Sequence, residues 1–341
     1  MAKKEVWTTN EIFKLFRIKK TKTSFYNDEA KGLVPEAKRK ARGTTFVRTW
    51  SLNQLPLIGE KYGFIKKPDG QKVISVYTPK GGVLKTTFAF NLARILALHN
   101  IKVLVIGLDV QGSITSNLME EQGSVTSIDD IQETKGLYAA SLSKETGGCP
   151  IEDVVNISSI SNLHYIPESP TLNLLEQKIR DMPRREFYLE KLLKPIRQRY
   201  DVIIFDNSPS WNFLIQNSLA IATDVISPIS CDIETYKALA QNIELINNFK
   251  VNMELDWNSF TLIPTKLERT KLSSQIEAQY RRSFSEIITN SSIRSATIGQ
   301  ESSLEQVSVI ELDSKAPLAE DYFDVIHDVW GLVNTPLLCA V

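Results

Sequence analysis

The sequence predicts an α/β protein: a doubly wound, mostly parallel sheet covered by helices on both faces, preceded by a small basic unit. Three observations carry this. From residue 73 onward, short β-branched apolar runs alternate with stretches of helical period, the pattern of buried parallel strands joined by crossover helices. The first run, Val73-Ile74-Ser75-Val76-Tyr77, breaks at Pro79 into a loop with Gly81-Gly82 and then Lys85-Thr86-Thr87. Charge is also split: residues 1–72 hold 17 Lys/Arg against 7 Asp/Glu, while the remainder holds 23 against 33, so a formal net charge of zero hides a basic head on an acidic body. Such a head suits a polyanion, most simply nucleic acid; a solvated basic tail is the plainer alternative.

A chain of 341 residues with 42% hydrophobic and 23% charged content exceeds one typical domain and can bury a sizeable core. Two domains are expected, over 1–68 and 69–341. Cys149, Cys231 and Cys339 lie far apart without C-x-x-C spacing, and only His99, His164 and His327 accompany them, so ordinary reduced thiols are expected and a structural zinc site is not. MAKKEVWTTN lacks the apolar core of a signal peptide, and no apolar run approaches the roughly 20 residues of a membrane span. A cytoplasmic, non-membrane protein is the expectation.

In chain order, WTTNEIFKLF reads as a short helix over 7–16 capped by Thr8 or Thr9, with Ile12, Phe13, Leu15 and Phe16 on its apolar face. A second helix fits 23–31 after the polar turn RIKKTK, which is helix-turn-helix spacing. Gly32 can stop it, Gly43 can turn a basic hairpin, and Ser51 can cap a helix from Leu52 towards Tyr62. This order, TSFYNDEAKGLVPEAKR followed by a basic wing and a helix, resembles the winged helix-turn-helix of MerR-type DNA-binding domains over about 55 residues. Lys19, Lys20, Lys22, Tyr26, Arg39, Arg42 and Arg48 are then placed to meet phosphates or bases; a basic protein-interaction domain is the alternative. Lys66-Lys67-Pro68-Asp69-Gly70 reads as a turn-rich linker.

In the body, strands are predicted at 73–77, 102–108, 163–166, 201–206, 225–229 and 260–264, with helices over 85–99, 186–199, 234–249 and 318–332. The stretch Gly112 to Gly148, rich in Ser, Gly and Thr, reads as the most mobile region.

The chemistry sits in the loop over 80–87. Backbone N–H groups there, with the N-terminus of the following helix, can surround phosphate oxygens. Lys85 adds charge at the β- and γ-phosphates, and Thr86 is placed to give its hydroxyl to Mg²⁺. Pro79 and Leu84 stand where a G-x-x-x-x-G-K-[ST] loop has its outer glycines. The pattern K-G-G-x-x-K-[ST], through Lys80, Gly81, Gly82, Lys85 and Thr86, instead resembles the deviant Walker A loop of the ParA/MinD ATPases, and more specifically the ParA partition proteins.

Three further segments extend the resemblance from Val73 to about Leu332: VLVIGLDVQGSITSNL for D-x-D-P-Q-G-x-x-T, YDVIIFDNSPS for the Walker B strand, and SKAPLAEDYFDVIHDVW for the last helix. The resemblance implies a P-loop NTPase type of fold, bound ATP and Mg²⁺, and a sandwich homodimer. In that dimer Lys80 would reach the partner's ATP. Asp109 would position the attacking water, and Asp206 would hold Mg²⁺ through water. The loop residues Gly81, Gly82, Val83, Leu84, Lys85, Thr86 and Thr87 would hold the phosphates, and Pro264 and Thr265 the adenine.

Arg269 and Arg294 fall where relatives keep basic residues for sequence-independent DNA contact; a solvated arginine is the equal alternative at each. Gly107 replaces the first Asp of D-x-D, removing a carboxylate, and Leu84 replaces the small residue before the loop lysine, so slow hydrolysis is expected. The function implied is ATP-driven DNA segregation, nucleoid-associated, with a ParB-like centromere-binding partner and possible operator binding by the head. A nucleotide-responsive transcriptional regulator is the alternative. A MinD-like membrane positioner is disfavoured because LVNTPLLCAV carries no basic amphipathic helix.

Overall fold

The computed structural model describes residues 6–42, 45–119 and 135–334. The predicted mobile stretch 112–148, the Gly43 turn, Cys339 and the LVNTPLLCAV end lie partly or wholly outside these residues.

The head begins with β1 (Val6–Thr8) and α1 (Thr9–Leu15). Thr8 caps α1, its N–H and hydroxyl both donating to the Glu11 carboxylate at 2.7 Å. After a connection turned by Arg17 at φ 49°, α2 (Lys22–Ala30) starts at Thr21, whose hydroxyl accepts the Ser24 N–H at 3.2 Å. Gly32 closes it at φ 69°. A basic hairpin of β2 (Lys38–Arg42) and β3 (Thr45–Ser51) follows, then α3 (Leu55–Tyr62). The three strands form an antiparallel sheet in the order β1-β3-β2. Phe25 is the hub, its ring 5.4 to 5.5 Å from those of Phe13, Trp50 and Tyr62.

The body is a seven-stranded sheet ordered β10-β9-β4-β8-β5-β7-β6. Its strands are β4 (Lys72–Val76), β5 (Val103–Leu108), β6 (Asn156–Ile157), β7 (Leu163–Ile166), β8 (Val202–Asn207), β9 (Asp224–Ser230) and β10 (Ser259–Thr265). Every pairing is parallel except that of the two-residue edge strand β6 with β7. Helix α4 (Lys85–Leu98) and the last helix, Pro317–Asn334, cover one face. Helices Leu172–Arg180, Tyr188–Arg197 and Phe213–Ala220 cover the other. Each strand predicted in the body is present within a residue or two. The sequence reading missed Leu172–Arg180, Phe213–Ala220 and Lys271–Ser283, the last because KLSSQIEAQYRRS buries only Ser273, Ile276 and Tyr280.

The connection at 66–70, expected as a linker, is pinned. Ile65 is buried and the Trp330 indole donates to the Lys66 carbonyl at 2.8 Å. Buried side chains of the head share one core with α4 and the last helix. A β-carbon at Gly59 would stand 2.0 Å from the Leu98 carbonyl oxygen, so α3 meets the end of α4 backbone to backbone. Arg17 lies over the Phe323 ring at 4.2 Å and pairs with Asp324 at 3.0 Å and with Glu320. The head cannot swing independently of the helix that starts at the phosphate loop.

His99 sits in this seam, its ring 5.3 Å from Phe16 and 4.8 Å from Phe64, with Nδ1 2.7 Å from the Ile95 carbonyl oxygen. Burial, aided by the Lys66 charge, pushes its pKa down to about 4. An unfolded chain takes up this proton below pH 6.5 and the folded one only near 4, so the contribution of His99 to stability is full above 6.5 and falls as pH drops to 4. Replacing His99 by phenylalanine is expected to remove about 3 kcal/mol of this acid sensitivity, read as the difference between urea midpoints of the two proteins at pH 7.5 and 4.5.

Candidate active site

The carboxyl ends of β4, β8 and β5 lie side by side, with Asp206 in register between Val76 and Gly107. In a doubly wound sheet this is where ligands bind. The loop after β4 passes through exposed Gly81 and Gly82, the latter at φ 73°, and enters α4 through Leu84 at φ 69°. Leucine therefore adopts the left-handed conformation that glycine would supply, at a strain of about 1–2 kcal/mol. Its side chain packs on the α4 core in return. Thr265 is buried and its hydroxyl donates to the Val83 carbonyl at 3.0 Å, so it braces the loop from β10. Pro264 is buried within β10, opposite Ile229.

Lys85 is buried, its ammonium donating to the Lys80 carbonyl at 2.6 Å. Burial lowers its pKa, opposed by the charges of Asp206 and Asp109. Asp206 is fully buried, and burial raises its pKa to about 7, against the Thr86 hydroxyl and the Lys85 charge. Among the described residues neither of its carboxylate oxygens has a partner at full hydrogen-bond geometry, the Thr86 hydroxyl lying close enough only to favour the charged form. An orphaned carboxylate beside a threonine hydroxyl and a lysine fits a divalent cation carrying phosphate: one carboxylate and one hydroxyl, with waters and phosphate oxygens completing the shell. Among the described residues no cluster of three or more His, Cys, Asp or Glu is placed to hold a metal by itself.

A family model for the AAA domain, AAA_31, matches residues 71–258. The chain belongs to this family. Its relatives are ATPases of the ParA/Soj type, and the chain is 30% identical over 226 residues to the chromosome-partitioning ATPase Soj of Treponema pallidum, covering 65% of this chain and 82% of that one. It is 29% identical over 214 residues to the chromosome partitioning protein ParA of Myxococcus xanthus, covering 62% and 71%. Among solved structures, the ATP complex of a McdA variant from Cyanothece superposes with a TM-score of 0.65 at 20% identity, covering 76% of this chain and 96% of that one. A plasmid partition protein from Borrelia burgdorferi gives 0.57 at 23% identity, covering 77% and 99%. These likenesses agree on a P-loop NTPase fold with a mostly parallel sheet.

In this AAA_31 member Lys80 pairs with carboxylates that follow β9. Its ammonium lies 3.1 Å from Asp232 and 3.2 Å from Glu234, at the start of helix Ile233–Asn252. Burial works to raise the Asp232 pKa, but hydrogen bonds from Ser230, Thr235 and Lys80 carry it down to about 2. Asp109 follows β5 half-buried, its Oδ1 accepting the Gln111 N–H at 3.1 Å.

Sequence reasoning missed Lys266, whose ammonium lies 3.8 Å from where a Gly82 β-carbon would be, and Glu168, which is fully buried at the end of β7. The second was findable, since a carboxylate closing a parallel strand at the ligand end is a site signal.

In the head, Lys19, Lys22 and Arg39 are exposed. Lys20 pairs with Asp28 at 3.6 Å. Arg48 lies over the Tyr26 ring at 3.9 Å and reaches Glu29 at 3.3 Å, while Arg42 has its backbone in β2. Lys22, Tyr26, Arg39, Phe46 and Arg48 line a cleft of about 440 Å³ between α2 and the hairpin. Arg269 is exposed, whereas Arg294 holds Asp321 with two bonds of 2.6 and 2.7 Å, which ties it to the last helix.

Proposed function

We propose that this ATPase drives DNA partition: Mg-ATP closes a homodimer that binds DNA, and a centromere-binding partner triggers hydrolysis and release. The observation that carries the reading is Lys80. It is rooted in the phosphate loop yet held by Asp232 and Glu234 and not by Asp206, and would leave those carboxylates for a nucleotide held by a second subunit. Asp206 and Thr86 would hold Mg²⁺, which neutralises charge developing on the phosphates; Lys85 and the loop N–H groups orient the γ-phosphate, and Asp109 orients water. Pro264 and Thr265 would support the adenine from β10, and Arg269 would add a DNA contact.

The head would act as a winged helix-turn-helix, with α2 as reading helix and the β2–β3 hairpin as wing. The cleft shared by Lys22, Tyr26, Arg39 and Arg48 also favours a second reading, a nucleotide-responsive transcriptional regulator. Because head and body share a core, the test uses the full chain.

Anisotropy titrations of random-sequence duplex are expected to show affinity rising about tenfold with Mg-ATP, within the range of ordinary allosteric coupling. Arg39→Ala is expected to lower affinity for the gene's own upstream DNA more than for random duplex. Binding that responds to ATP but is confined to one sequence would favour the regulator. Calorimetry showing no ATP binding would exclude both.

A further inference from the structure

The sequence lacks a carboxylate at position 107, and the structure brings a carboxyl group to the same place from the segment after β7. A β-carbon at Gly107 would stand 2.1 Å from Cγ, 2.3 Å from Cδ and 2.5 Å from Oε1 of Glu168. The Glu168 carboxyl therefore fills the volume into which a side chain at 107 would extend, next to Asp206 in register on β8. Position 107 must be glycine for this to happen, because real β-carbons are not found at such distances.

The carboxyl is fully committed. Oε1 accepts the Asp109 N–H at 3.3 Å, and Oε2 accepts the N–H groups of Ile114 and Thr115 and the Thr115 hydroxyl at 3.2 to 3.3 Å. The Thr115 hydroxyl in turn accepts the Glu168 N–H at 2.8 Å. One side chain thus clamps both ends of the segment running from Asp109 into the helix Ser113–Leu118.

We propose that Glu168 is a positioning residue for hydrolysis, its carboxyl group filling the place left at Gly107 and fixing the backbone from which Asp109 addresses the attacking water. This rests on the nucleotide reading of the site. It also revises the expectation of slow turnover from Gly107, since a carboxyl group still occupies that place.

Glu168→Gln separates clamping from folding. Its amide oxygen can serve the three donors at Ile114 and Thr115, while its NH₂ then faces the Asp109 N–H, donor against donor. Turnover and calorimetry on the full chain with Mg-ATP should show kcat falling about 100-fold, the scale of an ångström of misplacement, with Kd for ATP within about threefold of wild type. Glu168→Ala should fall at least as far. Gly107→Asp alone should also fail, because two side chains claim one volume. The double variant Gly107→Asp/Glu168→Ala should recover turnover to within about tenfold of wild type.

Wild-type kcat in Glu168→Gln, or a folded double variant no faster than Glu168→Ala, would overturn the inference. Wild-type protein that binds no ATP would instead overturn the nucleotide reading beneath it.

Discussion

Lys85→Met is expected to lower ATP turnover by about 10²- to 10³-fold, the scale of losing one preorganised charge-stabilising group, while the protein stays folded near neutral pH. The lysine is the cation facing Asp206 and Asp109, and burial has made its ammonium costly to keep charged. Without it the carboxyls need not remain as unpaired charges. Burial already raises Asp206 to about 7 and, with the Asp206 charge adding, Glu168 to about 8, so both can take up protons instead. The sign follows. These groups bind protons in the folded state that the unfolded chain releases above about pH 4, so their contribution to ligand-free stability declines as pH rises from 4 through 8, opposite in sign to that of His99. Removing Lys85 should steepen that decline. Urea midpoints at pH 6 and 8.5 would show near-equality at the first and a deficit in the variant at the second; equal deficits at both would contradict the argument.

The loop, the strands and the order of the fold were readable because each rests on local chemistry. Val73 to Val76 could only be a buried strand, and the Lys80, Gly81-Gly82, Lys85 spacing needs no tertiary knowledge. Leu84 was readable as a departure, but only the structure shows that it keeps the left-handed backbone glycine would give. What stayed hidden depends on contacts between distant positions. Gly107 looked like a loss because Glu168 lies 61 residues away in sequence and meets it only through the pairing of β5 with β7. Arg294 looked like a free cation because Asp321 belongs to another helix. The head looked tethered because Lys66 to Gly70 has a linker's composition, whereas Phe16, Gly59 and Phe64 are shaped to the end of α4 and to the last helix.

The same dependence on distant contacts underlies the largest stability effect expected. Arg94, on the inner side of α4, is 1% exposed and grips Glu311, 0% exposed, through Nε at 2.7 Å and Nη2 at 2.8 Å. Its Nη1 donates to the Ser159 hydroxyl at 3.0 Å, and Glu311 also accepts the Ser308 N–H and hydroxyl. Every polar atom of the pair is thus answered, and the Arg94 charge and hydrogen bonds outweigh burial to hold the Glu311 carboxyl below its ordinary pKa. Arg94→Ala leaves that carboxylate buried and alone, and is expected to remove about 3–5 kcal/mol, lowering Tm by roughly 4–7 °C. Replacing both partners by apolar side chains, Arg94→Met with Glu311→Leu, should recover most of the loss, since a buried ion pair contributes little beyond a well-packed apolar pair of similar volume. Thermal melts of the three proteins decide this. If the double variant is no more stable than Arg94→Ala, the pair holds α4 to the segment before the last helix by geometry that packing cannot replace.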